Sequence, residues 1–523
     1  MKEGFRQTMA WLHTWVGLIF GWLLFAIFLT GTLAYFKAET THWMQPEIPA
    51  RSVSSEASLT VAQHYLQQHA ASASRWLIDL PTAREPGLNV RWQQAPAEPG
   101  KRGEFSKKTL DPLTGAEVQG RATLGGEFFY RFHFQLQMPY PWGRWLSTVA
   151  AMLMFVALIT GIITHKKIFK DFFTFRPRKG QRSWLDGHNA VGVLVLPFHL
   201  MITYSSLVIF MSMVMPASIL ASYNGQTGAF FNEVFPSSSA PPAAGQPGQL
   251  APLAALLEQA REQWSGGRVG SLAVNNPGDT NASVVLERDG ADGVVYDFGR
   301  ALTFNGVTGQ LLGKTPEQPI PMAIAGGFYG LHMGHFAGPV LRWLYFICGL
   351  AGTAMIGTGL VIWLGKRQLK HAKSGVMPFE LRLVEVLNIA SMSGLVLAVA
   401  AFFWANRLLP VALAERADWE VNSFFIAWGL SVLHAMARRG RAAWIEQLAL
   451  AALLFCAVPL LNGLTTPYNL GVTLRQGDWA MAGFDLTCLG TGLFLAWAAW
   501  KMRRVEKAAV VTRRPISLER EAT

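Results

Sequence analysis

A chain of 523 residues that is 51% hydrophobic and only 15% charged is expected to be an integral membrane protein rather than a large soluble one. The net charge of +12 does not argue for nucleic acid, because the basic residues fall in short runs beside apolar segments, as membrane topology requires; no nucleic-acid partner is expected. Cys348, Cys456 and Cys488 all lie in apolar segments, which excludes a disulfide framework in the hydrophilic parts, a cysteine set for an iron–sulfur cluster and a c-type haem attachment.

A bilayer span takes about 20 apolar residues. In chain order, spans are expected at 13–36, 145–165, 188–214, 342–364, 383–404, 420–437, 443–462 and 481–500, eight in all, the sixth being short and containing His434. The first run is too long for a cleaved signal peptide, and no small-residue cleavage site follows it. The basic runs 165–182, 365–373, 437–441 and 501–507 all fall on one side of these spans, which makes that side cytoplasmic and puts both termini there. The long segments between then face outward, into the periplasm of a bacterial envelope.

Each outer segment reads as a small α+β module. The first has a helix candidate "LTVAQHYLQQHA" and strand candidates "RWLIDLP", "LNVRW" and "EFSKKTLDPLTGAEV". The second has a Pro/Gly/Ser-rich lead-in at 236–249, a helix candidate "LAPLAALLEQAREQW", and strand candidates "RVGSLAV", "ASVVLERD" and "GRALTFNGVTGQLLG". "DPLTG" and "NGVTG" are equivalent hairpin turns in which glycine supplies the positive φ.

The first two-thirds of the chain is duplicated. "HTWVGL" at 13–18 matches "HNAVGV" at 188–193, "GEFFYRFHFQL" brings His133 into register with His332 of "GGFYGLHMGH", and "RWL" at 144–146 matches "RWL" at 342–344. From there the register holds to Thr160-Gly161 and Thr358-Gly359. The expected fold is a mainly α-helical polytopic membrane protein of about eight spans. Residues 8–37, 144–214 and 341–366 form a four-helix bundle around a pseudo-two-fold axis, with outer modules at 38–143 and 215–340, extra spans at 383–501 and a cytoplasmic tail at 502–523. The C-terminal third suggests no chemistry of its own.

Histidines inside a bilayer are costly and default to function. His13 and His188 occupy equivalent positions on the inner side, and His133 and His332 equivalent positions on the outer side. His335 lies one turn beyond His332, and His199 sits deep in a span after Pro197. His188 and His199 share a helix face but stand roughly 16 Å apart, too far to serve one iron. His165 and His371 border basic runs, and His42, His64 and His69 are expected at a hydrophilic surface. Two clusters at two depths, with no acidic partners and with Gly17, Gly21 and Gly192 nearby, suit a flat macrocycle better than zinc. Two haems, each held by two histidines, would make a wire across the membrane. His13 with His188 is the expected inner pair. For the outer haem, His133 with His332, or His199 with one of His133, His332 or His335, remain open.

The segments "WLHTWVGLIFGWLLFAIFLTGTLAYF", "FHFQLQMPYPWGRWL", "DGHNAVGVLVLPFHL" and "GLHMGHFAGPVLRWL" resemble the PepSY-associated transmembrane-helix family over about residues 8–370. That resemblance implies PepSY-like outer modules and b-type haem ligation by His13, His133, His188, His199 and His332. It also implies a bacterial inner-membrane oxidoreductase that passes electrons from an unidentified cytoplasmic or quinol donor to periplasmic ferric siderophore. The extra C-terminal spans depart from the short four-span reductases of the family. Arg131, Tyr130, Phe129 and Tyr329 are candidates for the substrate side. The competing readings are a regulatory or binding membrane protein without redox chemistry, and a transporter with histidine proton relays.

Overall fold

The computed structural model describes residues 4–95, 103–165, 176–177, 179–234, 241–372, 376–438 and 440–511. Most of the basic run 165–182, the start of the Pro/Gly/Ser-rich lead-in and the end of the tail lie outside the described residues.

The first expected span is two helices, α1 (Phe5–Ile19) and α2 (Gly21–Ala34), which meet at 66° around Phe20. After α3 (Lys37–Met44) comes the first outer unit: α4 (Ser55–His69), β1 (Arg75–Asp79), β2 (Leu88–Gln93) and β3 (Phe105–Leu110). The short α5 (Glu127–Gln135) and the spanning α6 (Trp142–Thr164) follow. The pattern then repeats. Helices α7 (Gln181–Leu194) and α8 (Leu196–Ile209) meet at 67° around Val195. The second outer unit is α9 (Leu253–Gln263), β4 (Val269–Asn275), β5 (Ser283–Arg288), β6 (Ala301–Asn305) and β7 (Leu311–Lys314), followed by α10 (Ile320–Met333) and α11 (Pro339–His371). The two bends are repeat-equivalent, yet Pro197 accompanies only the second; it sits in the first turn of α8, where its missing N–H costs nothing.

The expectation of two separate modules is corrected. All seven strands form one antiparallel sheet in the order β3-β2-β1-β4-β5-β6-β7. The halves join through β1 and β4, with Trp76 opposite Val274 and Ile78 opposite Leu272. Left apart, each half would expose an apolar strand edge, and pairing removes both edges at once. Leu59, Leu66, Trp76, Ile78, Leu256, Leu272, Val274 and Phe304 then share one core beneath α4 and α9. The two turns match as expected: Gly115 and Gly309 both have φ of +73°, and the side chains of Asp111 and Asn305 accept from the same backbone positions ahead of them.

The C-terminal third is a second bundle: α12 (Phe379–Leu408, with a π-helical turn at Ala390–Gly394), α13 (Arg416–Ala437), α14 (Gly440–Thr465) and α15 (Trp479–Val511). Eight spans were expected, and length and composition support fewer. Among the described residues five single helices are long and apolar enough to cross a membrane, or seven if each bent pair is one span. The sixth expected span, α13, has the length, but Arg416, Asp418, Glu420, Asn422 and His434 dilute its apolar residues.

Two cavities, each facing a histidine pair

The repeat brings its histidines together in two facing pairs, the first with equivalent partners on both rings. At the inner end, His13 on α1 and His188 on α7 face each other with ring centres 6.4 Å apart. Nδ1 of His13 lies 2.8 Å from the Ala157 carbonyl of α6, and Nδ1 of His188 lies 2.9 Å from the Met355 carbonyl of α11. Ala157 and Met355 are themselves repeat-equivalent, as are the Thr160 and Thr358 hydroxyls beside the same nitrogens. A carbonyl has no proton to give, so each Nδ1 donates and each Nε2 keeps its lone pair. This is the arrangement in which a metal-binding histidine is oriented by a hydrogen bond from its other nitrogen. Gly161 and Gly359 make room: a Cβ there would stand 3.2 and 3.3 Å from Cε1 of His13 and His188. The cavity between the rings has a volume of about 670 Å³. Gly17, Gly21 and Gly192 line it, with Lys366, Arg367 and Lys370 at one end.

At the outer end, His133 on α5 and His332 on α10 stand with ring centres 6.1 Å apart. Nδ1 of His133 donates to the Ile27 carbonyl at 2.7 Å. Nδ1 of His332 meets the Ser205 hydroxyl at 2.9 Å; that hydroxyl is also 3.1 Å from the Ile202 carbonyl, which takes its proton and leaves its lone pair for the imidazole N–H. A Cβ at Gly31 would fall 2.5 Å from Nδ1 of His133, so the close approach of α2 to this ring needs glycine. This cavity has a volume of about 340 Å³ and is lined by Tyr130 and Tyr329 and by three cationic side chains, Lys37, Arg84 and Arg144. Arg84 comes from the β1–β2 loop and is held by both oxygens of Glu39, at 2.8 Å each.

The other expected residues fall differently. His199 is fully buried against Phe28, with ring centres 6.5 Å apart, and lines neither cavity. His335 is not a turn further along the same helix. Gly334, at φ +61°, ends α10, and His335 lines the outer cavity beside Tyr296 and Tyr329. Burial, then Lys37 and Arg84, push its imidazole down to about 4, so it is neutral at ordinary pH. Tyr130 and Tyr329 stand where the sequence suggested. Arg131 points away, ion-paired to Glu127, and Phe129 is buried against Phe402 and Phe403 instead of facing the cavity. His42 corrects its reading as a surface residue: it is buried, with Nε2 3.0 Å from Asp478. No local pattern could have revealed a partner that distant in the chain.

Two imidazoles binding one metal in line, at about 2 Å per nitrogen and with each ring centre about 1.1 Å behind its nitrogen, set their ring centres about 6 Å apart. Both pairs fit. Among the described residues no group of three or more His, Cys, Asp or Glu side chains is placed to hold a metal ion.

No curated protein matches the chain. The model of the PepSY-associated TM region matches residues 10–366, which contain both histidine pairs, the whole sheet and all of the cavity linings except Arg367 and Lys370, and the chain belongs to that family.

Proposed function

We propose that the protein is a dihaem electron-transfer protein of the bacterial inner membrane that reduces ferric-siderophore iron on the periplasmic side. The observation that carries this reading is the repetition of one arrangement at two depths: facing imidazoles 6.4 and 6.1 Å apart, three of the four with Nδ1 committed to a backbone carbonyl and the fourth to a serine hydroxyl. His13 with His188, and His133 with His332, would hold one haem b each. A haem held there would supply one-electron transfer.

The chain's own residues do the rest. The Nδ1 hydrogen bonds fix ring orientation and raise ligand basicity. Lys366, Arg367 and Lys370 at the inner cavity, and Arg144 at the outer one, where Lys37 and Arg84 are paired with Glu127 and Glu39, offer charge to carboxylate side arms or to an anionic chelate. Electrons arrive from a cytoplasmic or quinol donor beside the inner pair. Reduction to Fe(II) weakens hard-oxygen chelation and releases the metal.

Pyridine haemochrome analysis against protein concentration is expected to give about two haems b per chain; one or none sinks the reading. Orientation is tested separately. Leu113 is exposed on the hairpin beyond β3, and a cysteine placed there is expected to react with an impermeant maleimide in intact spheroplasts. Protection until lysis would invert the topology.

A further inference from the structure

The C-terminal bundle lies beyond the stretch that defines the family, and its buried polar groups are not used by the proposed electron path. We infer that this bundle is a brace that positions His133, through Glu420, Arg416 and Asn406 acting on the segment just before α5.

Helix α5 has only nine residues, its N-cap is Gly126, and Gly125 before it has φ of +55°. An isolated helix of that length is not stable, so its direction is set by what it packs against. The segment leading into it is gripped at three successive residues. Arg121 donates to the Asn406 carbonyl at 3.0 Å, Arg416 donates to the Ala122 carbonyl at 2.8 Å, and the Thr123 hydroxyl donates to Glu420. Glu420 and Arg416 form an ion pair that is fully buried, and the amide of Asn406 adds a 2.8 Å bond to the same carboxylate. Thr123 then passes the constraint on, because its oxygen accepts from the Gly125 N–H at 2.9 Å.

One face of α5 is held by the same bundle. Phe128 lies 4.9 Å from Phe402 of α12 and 5.0 Å from Phe424 of α13, and Phe132 lies 5.9 Å from Phe424, between ring centres. His133 is the next residue and is aimed at the Ile27 carbonyl. The opposite ligand helix, α10, is fixed in another way. The Tyr296 N–H bonds the Gly326 carbonyl at 3.0 Å, and a Cβ at Gly330 would fall 1.8 Å from the Val294 oxygen. The grip on residues 121–123 therefore bears on the helix that carries His133 and not on α10.

The consequence for the outer haem rests on the proposed function; the consequence for α5 does not. Two variants of the full chain test it: Thr123→Val, and Arg416→Met with Glu420→Leu, which removes the ion pair without leaving a lone buried charge. In haem-free protein, amide exchange across 127–135 is expected to rise roughly tenfold or more in either variant, with 320–333 unchanged, since a hydrogen bond to a charged group is lost. Thr123→Ser should restore protection. In haem-loaded protein, retention of the outer haem should fall about tenfold and its potential shift, with the inner haem unmoved. Unchanged exchange at 127–135, or equal loosening of 320–333, overturns the brace. Selective loosening in a protein that binds no haem leaves the brace standing and removes the electron-transfer reading instead.

Discussion

His332→Ala is expected to remove the outer haem and leave the inner one at its original potential, and His188→Ala to do the reverse. Each imidazole is one of two facing rings in its cavity, and His335, which also lines the outer cavity, packs its ring on Tyr296 and Tyr329. Losing only the partner that orients a ligand costs about 10–100-fold in metal affinity, so losing the ligand itself should exceed that. His199→Ala is expected to leave both haems in place, since His199 faces Phe28 and the Gly352 backbone instead of a cavity. Potentiometric titration of the visible spectrum resolves the three variants. Loss of a haem in His199→Ala, or retention of both in His332→Ala, would overturn the ligand assignment.

Glu420→Ala is expected to be the most damaging single change to stability, at about 3–5 kcal/mol, because it strands the buried Arg416 guanidinium without its counter-charge. Paired replacement by Arg416→Met and Glu420→Leu should recover most of that loss, since neither charge then remains buried. Thermal unfolding of the detergent-purified variants, followed as the loss of monodisperse protein, separates the two outcomes. A single variant as stable as the unaltered chain would mean that water reaches Arg416 after all.

Much of the site was legible because duplication repeats chemistry at fixed offsets. His13 and His188, His133 and His332, and Thr160 and Thr358 fall in equivalent environments, and the two turns around Gly115 and Gly309 reproduce each other. Local sequence could not show that β1 and β4 pair across the halves, since an exposed strand edge and a paired one read alike. Nor could it show that Arg407, Asn462 and Asp485 meet in the C-terminal bundle. Arg407 donates to Asn462, Asn462 to Asp485, and Trp43 to Asp485, from four separate helices. Charges near helix ends look like membrane anchors until the fold buries them. For His199 the spacing revealed position along the helix and not direction around it, which the fold sets by placing the ring against Phe28.

Leu24 and Met154 line both cavities, and each is almost fully buried. The wall between the two chambers is therefore thin at that point and is hydrocarbon there. A charge crossing such a wall would have to shed its water, at a cost of at least about 2.5–3.5 kcal/mol. The electric field of a charge held on one side is only weakly screened across the same gap. The chambers thus behave as the plates of a small capacitor: filling one with charge makes it harder to fill the other with charge of the same sign.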